Sequence, residues 1–208
     1  MINNLEHKAN NEKYFNSIRY FSHSLKREKR RNFIEQVAEY NIYLAAKCIM
    51  SAEKDEELEN SLIEKAQSIA QNFEELENSA KGFLALAEFE CSETIISLFS
   101  NVEKFNNTHF KVIEKILETK SPEIFCKFLL IFTKINKFDL INYAIGCYDG
   151  ELPINNEIKE YLNQFFKYIL DKKLFGLLSH FIDKYKLQDN ISYILNENIE
   201  NIIIKISD

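Results

Sequence analysis

Apolar residues recur at steps of three and four along almost the whole chain, and scarcely a glycine or proline interrupts them. An α-helix repeats one face at that spacing, whereas a half-buried strand alternates at every second residue. Only 4 Gly and 2 Pro occur in 208 residues, so the helices must be joined by turns that rarely use either. The pattern predicts roughly eleven short amphipathic helices in succession. That is an all-α chain, expected as an α-solenoid of helical hairpins, with an irregular helical bundle as the alternative.

The stripes are clearest late in the chain. Ile158, Tyr161, Leu162, Phe165, Phe166, Ile169 and Leu170 make one face. After a polar Asp171–Lys173 turn, Leu174, Leu177, Leu178, Phe181, Ile182 and Tyr185 make another. Ile191, Ile194, Leu195, Ile199, Ile202, Ile203 and Ile206 make a third. Earlier stripes run over 14–25, 33–38, 44–49, 58–73, 80–87, 95–102, 110–117, 124–132 and 138–145. Asn41 and Ser92 are placed to cap helices. Ser121-Pro122-Glu123 combines a capping hydroxyl, a proline suited to the first helical position and an acid near the positive helix end.

Residues 146–156 hold two of the 4 glycines and one of the 2 prolines, and read as a loop or hinge within a single domain spanning 1–208. Two internal likenesses stand out. Residues 92–99 resemble 121–128 at an offset of 29, and 137–141 resemble 173–177 at an offset of 36. Offsets of that size are one helical hairpin long and point to a HEAT-like array.

Chemistry-bearing patterns are sparse. No glycine-rich run precedes a Lys-Ser/Thr pair, and neither HExxH nor C-x-x-C occurs, so neither a phosphate loop nor a zinc site of ordinary spacing is expected. His7, His23, His109 and His180 are widely spaced; His109 reads as a capping or surface group and His180 as a helix-flank residue. Cys48, Cys91, Cys126 and Cys147 lie on or beside apolar stripes and read as free buried thiols of a reducing, cytoplasmic setting. No start resembling a signal peptide is visible, and no apolar run is long enough for a bilayer. The expectation is a chain without catalytic residues, cofactor or metal.

Charge is uneven. Residues 1–52 carry nine Lys/Arg and five Asp/Glu, residues 53–103 carry three and thirteen, and residues 104–208 carry fourteen of each. Leu25-Lys-Arg-Glu-Lys-Arg-Arg31 concentrates Lys26, Arg27, Lys29, Arg30 and Arg31. Glu56, Glu57 and Glu59 crowd one predicted helix start. These eight residues are the candidate interaction surface. Read structurally, the basic face pairs with the acidic block across the fold. Read functionally, the two faces meet a protein partner, or the basic one holds nucleic acid or another anion. Tyr20, Phe21 and Phe33 fit a core stripe better than a base-stacking platform.

Phe33-Ile-Glu-Gln-Val-Ala-Glu-Tyr40 followed by Asn41-Ile-Tyr-Leu-Ala-Ala-Lys-Cys-Ile49 resembles the helix pair that opens the helical region after the NTPase in bacterial NACHT-containing STAND proteins. Ile42 stands where that pattern has proline. Ala80-Lys-Gly-Phe-Leu-Ala-Leu-Ala87 with Thr94-Ile-Ile-Ser-Leu98 is similar to a degenerate HEAT pair. The resemblance covers about 60 of the 208 residues and implies a sensor or scaffold array. The nucleotide-binding motifs of those proteins are absent from this sequence, so no ATPase role is carried over.

Overall fold

The computed structural model describes residues 4–50, 52 and 54–190; the expected stripe from Ile191 to Ile206 lies outside them. Among the described residues the fold is all-α, without strands. In chain order the α-helices are α1 (Leu5–Ala9), α2 (Phe15–Ser24), α3 (Arg27–Tyr40), α4 (Ile42–Met50), α5 (Glu56–Ala70), α6 (Leu76–Glu88), α7 (Ser92–Ser100), α8 (Asn107–Leu117), α9 (Pro122–Lys134), α10 (Phe138–Cys147), α11 (Asn156–Asp171) and α12 (Phe175–Tyr185). Among the described residues no helix is long and apolar enough to cross a membrane.

Several helices begin where side chains satisfy their free backbone N–H groups. Asn41 Oδ1 accepts from Leu44 N at 3.0 Å, and Asp55 Oδ1 from Leu58 N at 3.2 Å. Ser121 Oγ accepts from Ile124 N at 3.3 Å with Pro122 opening α9. Asn155 Oδ1 accepts from Ile158 N at 2.9 Å. Ser92 is different. The cap position of α7 falls on Cys91, and Ser92 is already helical.

The reason lies in the preceding turn. Glu90 adopts φ 57°, and the N–H of Cys91 reaches back to the Leu86 carbonyl at 2.9 Å. This is a Schellman closure, in which a left-handed residue lets the chain fold back over the last helical turn. The same closure follows α9, α11 and α12. Asn136, Lys173 and Lys186 have φ of 54°, 56° and 53°. The next N–H in each case bonds Phe132 O at 3.1 Å, Ile169 O at 2.9 Å and Ile182 O at 3.0 Å. All four turns are built without glycine, and no glycine of the chain has positive φ.

The chain divides into two compact units, Met1–Ile116 and Leu117–Asp208. In the first unit α4 is the central helix. Every residue from Ile42 to Ile49 except Lys47 is buried, as expected for a helix apolar on nearly all sides. It packs against α2, α3, α5 and α6, while α1 packs on α3. Helices α5 and α6 approach each other closely at Gly82. A Cβ built on Gly82 would lie 2.6 Å from Ala70 N and 2.8 Å from Ala66 O, so only glycine lets the two backbones meet. Ser79, one turn earlier, donates to the Ala70 carbonyl at 2.7 Å. Asn41 Nδ2 donates to the Ala9 carbonyl at 2.8 Å, and Lys81 Nζ to Asn10 Oδ1 at 2.9 Å; these two bonds tie α1 to the later helices.

In the second unit α9 is central, with Phe125, Phe128, Leu129 and Phe132 wholly buried, and it packs on α10 and α11; α11 in turn packs on α12. Aligned on the left-handed residues Asn136 and Lys173, the hairpins α9–α10 and α11–α12 match at an offset of 37 (136 to 173). Buried positions then coincide: Phe125 with Leu162, Phe128 with Phe165, Phe132 with Ile169, Leu140 with Leu177 and Ile141 with Leu178. The shared turn sets that register one residue away from the 36-residue likeness in the sequence. The 29-residue likeness pairs α7 with α9, which stand on opposite sides of their turns.

Gly146 and Cys147 complete α10, and the remainder of 146–156 is pinned. The Tyr148 ring stacks on Phe125 at 4.1 Å and 4°. Its hydroxyl lies 3.2 Å from Lys120 O and 3.1 Å from Glu151 O. Tyr185 Oη lies 3.2 Å from Ile145 O, and Lys184 Nζ donates to the carbonyls of Gly146, at 2.9 Å, and Ile145. A cation at the carbonyl end of α10 is favourably placed for the helix dipole.

Candidate interaction surface

Leu25 and Lys26 are both extended, with ψ of 146° and 154°, and they turn the chain sharply from α2 into α3. That corner splits the basic cluster into two groups. Arg30 and Arg31 are committed to the fold. Arg30 Nη2 donates to the Leu25 carbonyl at 3.0 Å, closing the corner. Arg31 Nη1 lies 2.8 Å from Glu57 Oε2 and 3.9 Å from Asp55 Oδ1, while its Nε is 3.3 Å from Glu35 Oε1. The hydrogen bond that Arg31 donates to Glu57 holds the carboxyl below its ordinary range and raises the guanidinium in turn.

The acidic partners come from the start of α5, where Glu56 and Glu57 favour the positive helix end. Lys54 Nζ pairs with Glu56 at 3.0 Å. Further along the same two helices Lys65 pairs with Glu39 at 2.5 Å. Thus α3 and α5 are bridged twice, and the basic and acidic blocks complement each other within the first unit. Such exposed pairs contribute about 0–1 kcal/mol each; they orient surfaces more than they hold the fold.

Arg27, Glu28, Arg31, Lys54, Asp55, Glu56 and Glu57 line an open cleft of about 630 Å3. Of the eight residues singled out in the sequence, Arg27, Arg31, Glu56 and Glu57 meet there, and Glu59 is half-buried outside it. Lys26, Arg27 and Lys29 are exposed, and among the described residues none of the three makes an ion pair or side-chain hydrogen bond. Asp55 was not among the eight, although its position before an acidic helix start marks it as a cap. One aromatic expectation fails. Phe33 is buried and Phe21 packs edge-on against it at 5.0 Å, but Tyr20 is 76% exposed, because the core stripe of α2 runs through Ile18 and Ser22.

No protein-family model, curated protein or solved structure matches the chain.

Burial pushes the Cys48 thiol up to about 11 and the Cys126 thiol higher still, which disfavours the thiolate a nucleophile requires. Cys91 and Cys147 are half-buried rather than buried. Asn106 Oδ1 accepts from Thr108 N at 3.0 Å and His109 N at 3.3 Å, and Asn106 N–H donates to His109 Nδ1 at 3.2 Å. This is a reciprocal capping box with histidine in the place of the usual Glu or Gln. Phe73 and Phe105 flank the imidazole at 4.5 and 5.5 Å, and burial holds it below its ordinary pKa against the pull of Glu74. His180 is exposed on α12. Among the described residues no cluster of His, Cys, Asp and Glu is arranged to hold a metal ion.

Proposed function

We propose that this chain is a non-catalytic, cytoplasmic array of HEAT-like helical hairpins whose surface binds another protein. The observation that carries this reading is the reach of the packing. Among the described residues of each unit, the helix pairs that share the most contacts lie one or two helices apart in the chain, and longer reaches, such as α1 to α6, rest on single side-chain contacts. That near-neighbour pattern is the physics of stacked arrays, which present extended surfaces without needing reactive groups. The matching turns and buried positions of α9–α10 and α11–α12 support it further. The likeness of residues 33–49 to the helical regions of NACHT/STAND proteins fits a scaffold or sensor role. A second reading, anion or nucleic-acid binding through residues 26–31, is favoured by the exposure of Lys26, Arg27 and Lys29, none of which forms an ion pair among the described residues.

The test is capture of the tagged chain from native lysate, identification of the recovered protein and reconstitution from purified components. A stoichiometric complex in sedimentation is expected. Recovery of nucleic acid alone, or turnover of a small molecule by the purified chain, would reject the reading.

A further inference from the structure

The five basic residues of the cluster have unequal duties. Arg30 closes the α2–α3 corner and Arg31 bridges to α5. Neither bond requires Lys26, Arg27 or Lys29, which stand exposed where α3 begins and, among the described residues, form no ion pair. Three cations at the positive end of a helix oppose its dipole, and Lys26 supplies no capping oxygen there. Local stability therefore does not account for their presence. On the preceding helix Tyr20 is 76% exposed, a side chain that gives large contact area for little lost entropy.

Resting on the protein-binding reading above, we propose that Lys26, Arg27 and Lys29 dock a short carboxylate-rich segment of a partner protein. A long polyanion fits less well. The unit Met1–Ile116 carries fifteen Lys/Arg against nineteen Asp/Glu. The cleft that Arg27 borders is also lined by Glu28, Asp55, Glu56 and Glu57. A nucleic acid running past Arg27 would also meet the carboxylates that border the same cleft, and a phosphate backbone is repelled by charges closer than a Debye length, roughly 8 Å at physiological salt. An anionic membrane would press against the same carboxylates over a still wider area. A flexible acidic peptide can place its carboxylates on the three cations and leave the cleft untouched. The attraction at an exposed rim of this kind acts mainly on association rate and salt dependence.

The probe is a labelled oligo-glutamate peptide, followed by fluorescence anisotropy at low and at physiological ionic strength. Parallel arms use single-stranded and duplex oligonucleotides and phosphatidylserine vesicles. The expected result is saturable peptide binding that weakens with salt and is at least about tenfold weaker in the triple variant Lys26→Glu, Arg27→Glu, Lys29→Glu. Arg31→Gln, which breaks the ion pairs to Glu35, Asp55 and Glu57 within the fold, should keep the peptide affinity within about twofold. Circular dichroism of both variants checks that helicity is retained. Equal peptide binding by parent and triple variant, or none by the parent, overturns the docking face. Tighter binding of an oligonucleotide or vesicle than of the peptide, lost in the triple variant, overturns the partner class. A native partner that still binds the triple variant sinks this face while leaving the broader protein-binding reading intact; a parent chain with no protein partner sinks both.

Discussion

Replacing Gly82 with alanine should destabilise the first unit even though alanine is the better helix former. In an exposed helix interior that exchange is worth about 0.8–1 kcal/mol in alanine's favour. At Gly82 the new methyl would sit 2.6 Å from Ala70 N, 2.8 Å from Ala66 O and 2.9 Å from Ala70 Cα. These are backbone atoms of α5, with no rotamer to swing aside, and comfortable contact begins near 3.5 Å. The helices must therefore separate by somewhat under about 1 Å. That shift stretches the buried bond from Ser79 to Ala70 and disturbs Phe83, which stacks on Phe99 at 4.7 Å. Overpacking costs about 1–3 kcal/mol and weakening the buried hydrogen bond about 1 kcal/mol. With the helix preference subtracted, roughly 1–3 kcal/mol of net destabilisation remains. For a unit of this size the melting temperature falls by about 3–12 °C. Gly146 and Gly176 provide the control, because both are helical and a Cβ on either meets nothing within 4 Å. Alanine there should stabilise by up to about 1 kcal/mol. The assay is urea and thermal unfolding followed by circular dichroism. A Gly82→Ala protein as stable as its parent would refute the close-approach argument.

Other expectations follow from the same structure. Lys173→Gly removes a side chain from the left-handed region and should stabilise by about 1 kcal/mol, seen as a raised melting temperature; a lowered one would show that the lysine side chain contributes more than its strained backbone costs. Tyr148→Phe deprives Lys120 O and Glu151 O of their shared donor and should cost about 1–2 kcal/mol in urea unfolding. For His109 the folded state holds the neutral ring, so the unfolded chain binds the proton more readily. The stability this provides is present above about pH 6.5, the ordinary imidazole value. It is lost as pH falls from there through the depressed folded pKa. Urea midpoints measured across this range should decline in the parent and decline less in His109→Gln, which keeps an acceptor for the Asn106 N–H.

The helices were legible because burial of one face leaves a three-to-four spacing that no other element produces. Asn41 and Ser121 were legible as caps because their side chains act on backbone groups only three residues away. The turns were not. Glu90, Lys173 and Lys186 adopt the conformation that glycine favours, and the tertiary packing of the flanking helices imposes it against local preference. Ser92 was misplaced by one residue for that reason. At the candidate surface, the sequence marked both charged blocks. It could not show that Arg31 and Glu57 satisfy each other while Lys26, Arg27 and Lys29 do not, because that division depends on how α3 and α5 are laid side by side.

A shortened version of this chain beginning at α2 would lose more than five helical residues. The Ala9 carbonyl and the Asn10 side chain serve groups that lie 32 and 71 positions downstream. Deleting them would strand a buried carboxamide at the head of α4 and leave the ammonium group of Lys81 without its acceptor. The opening segment thus works as a plug, and an expression boundary drawn inside it would be felt at the middle of the first unit.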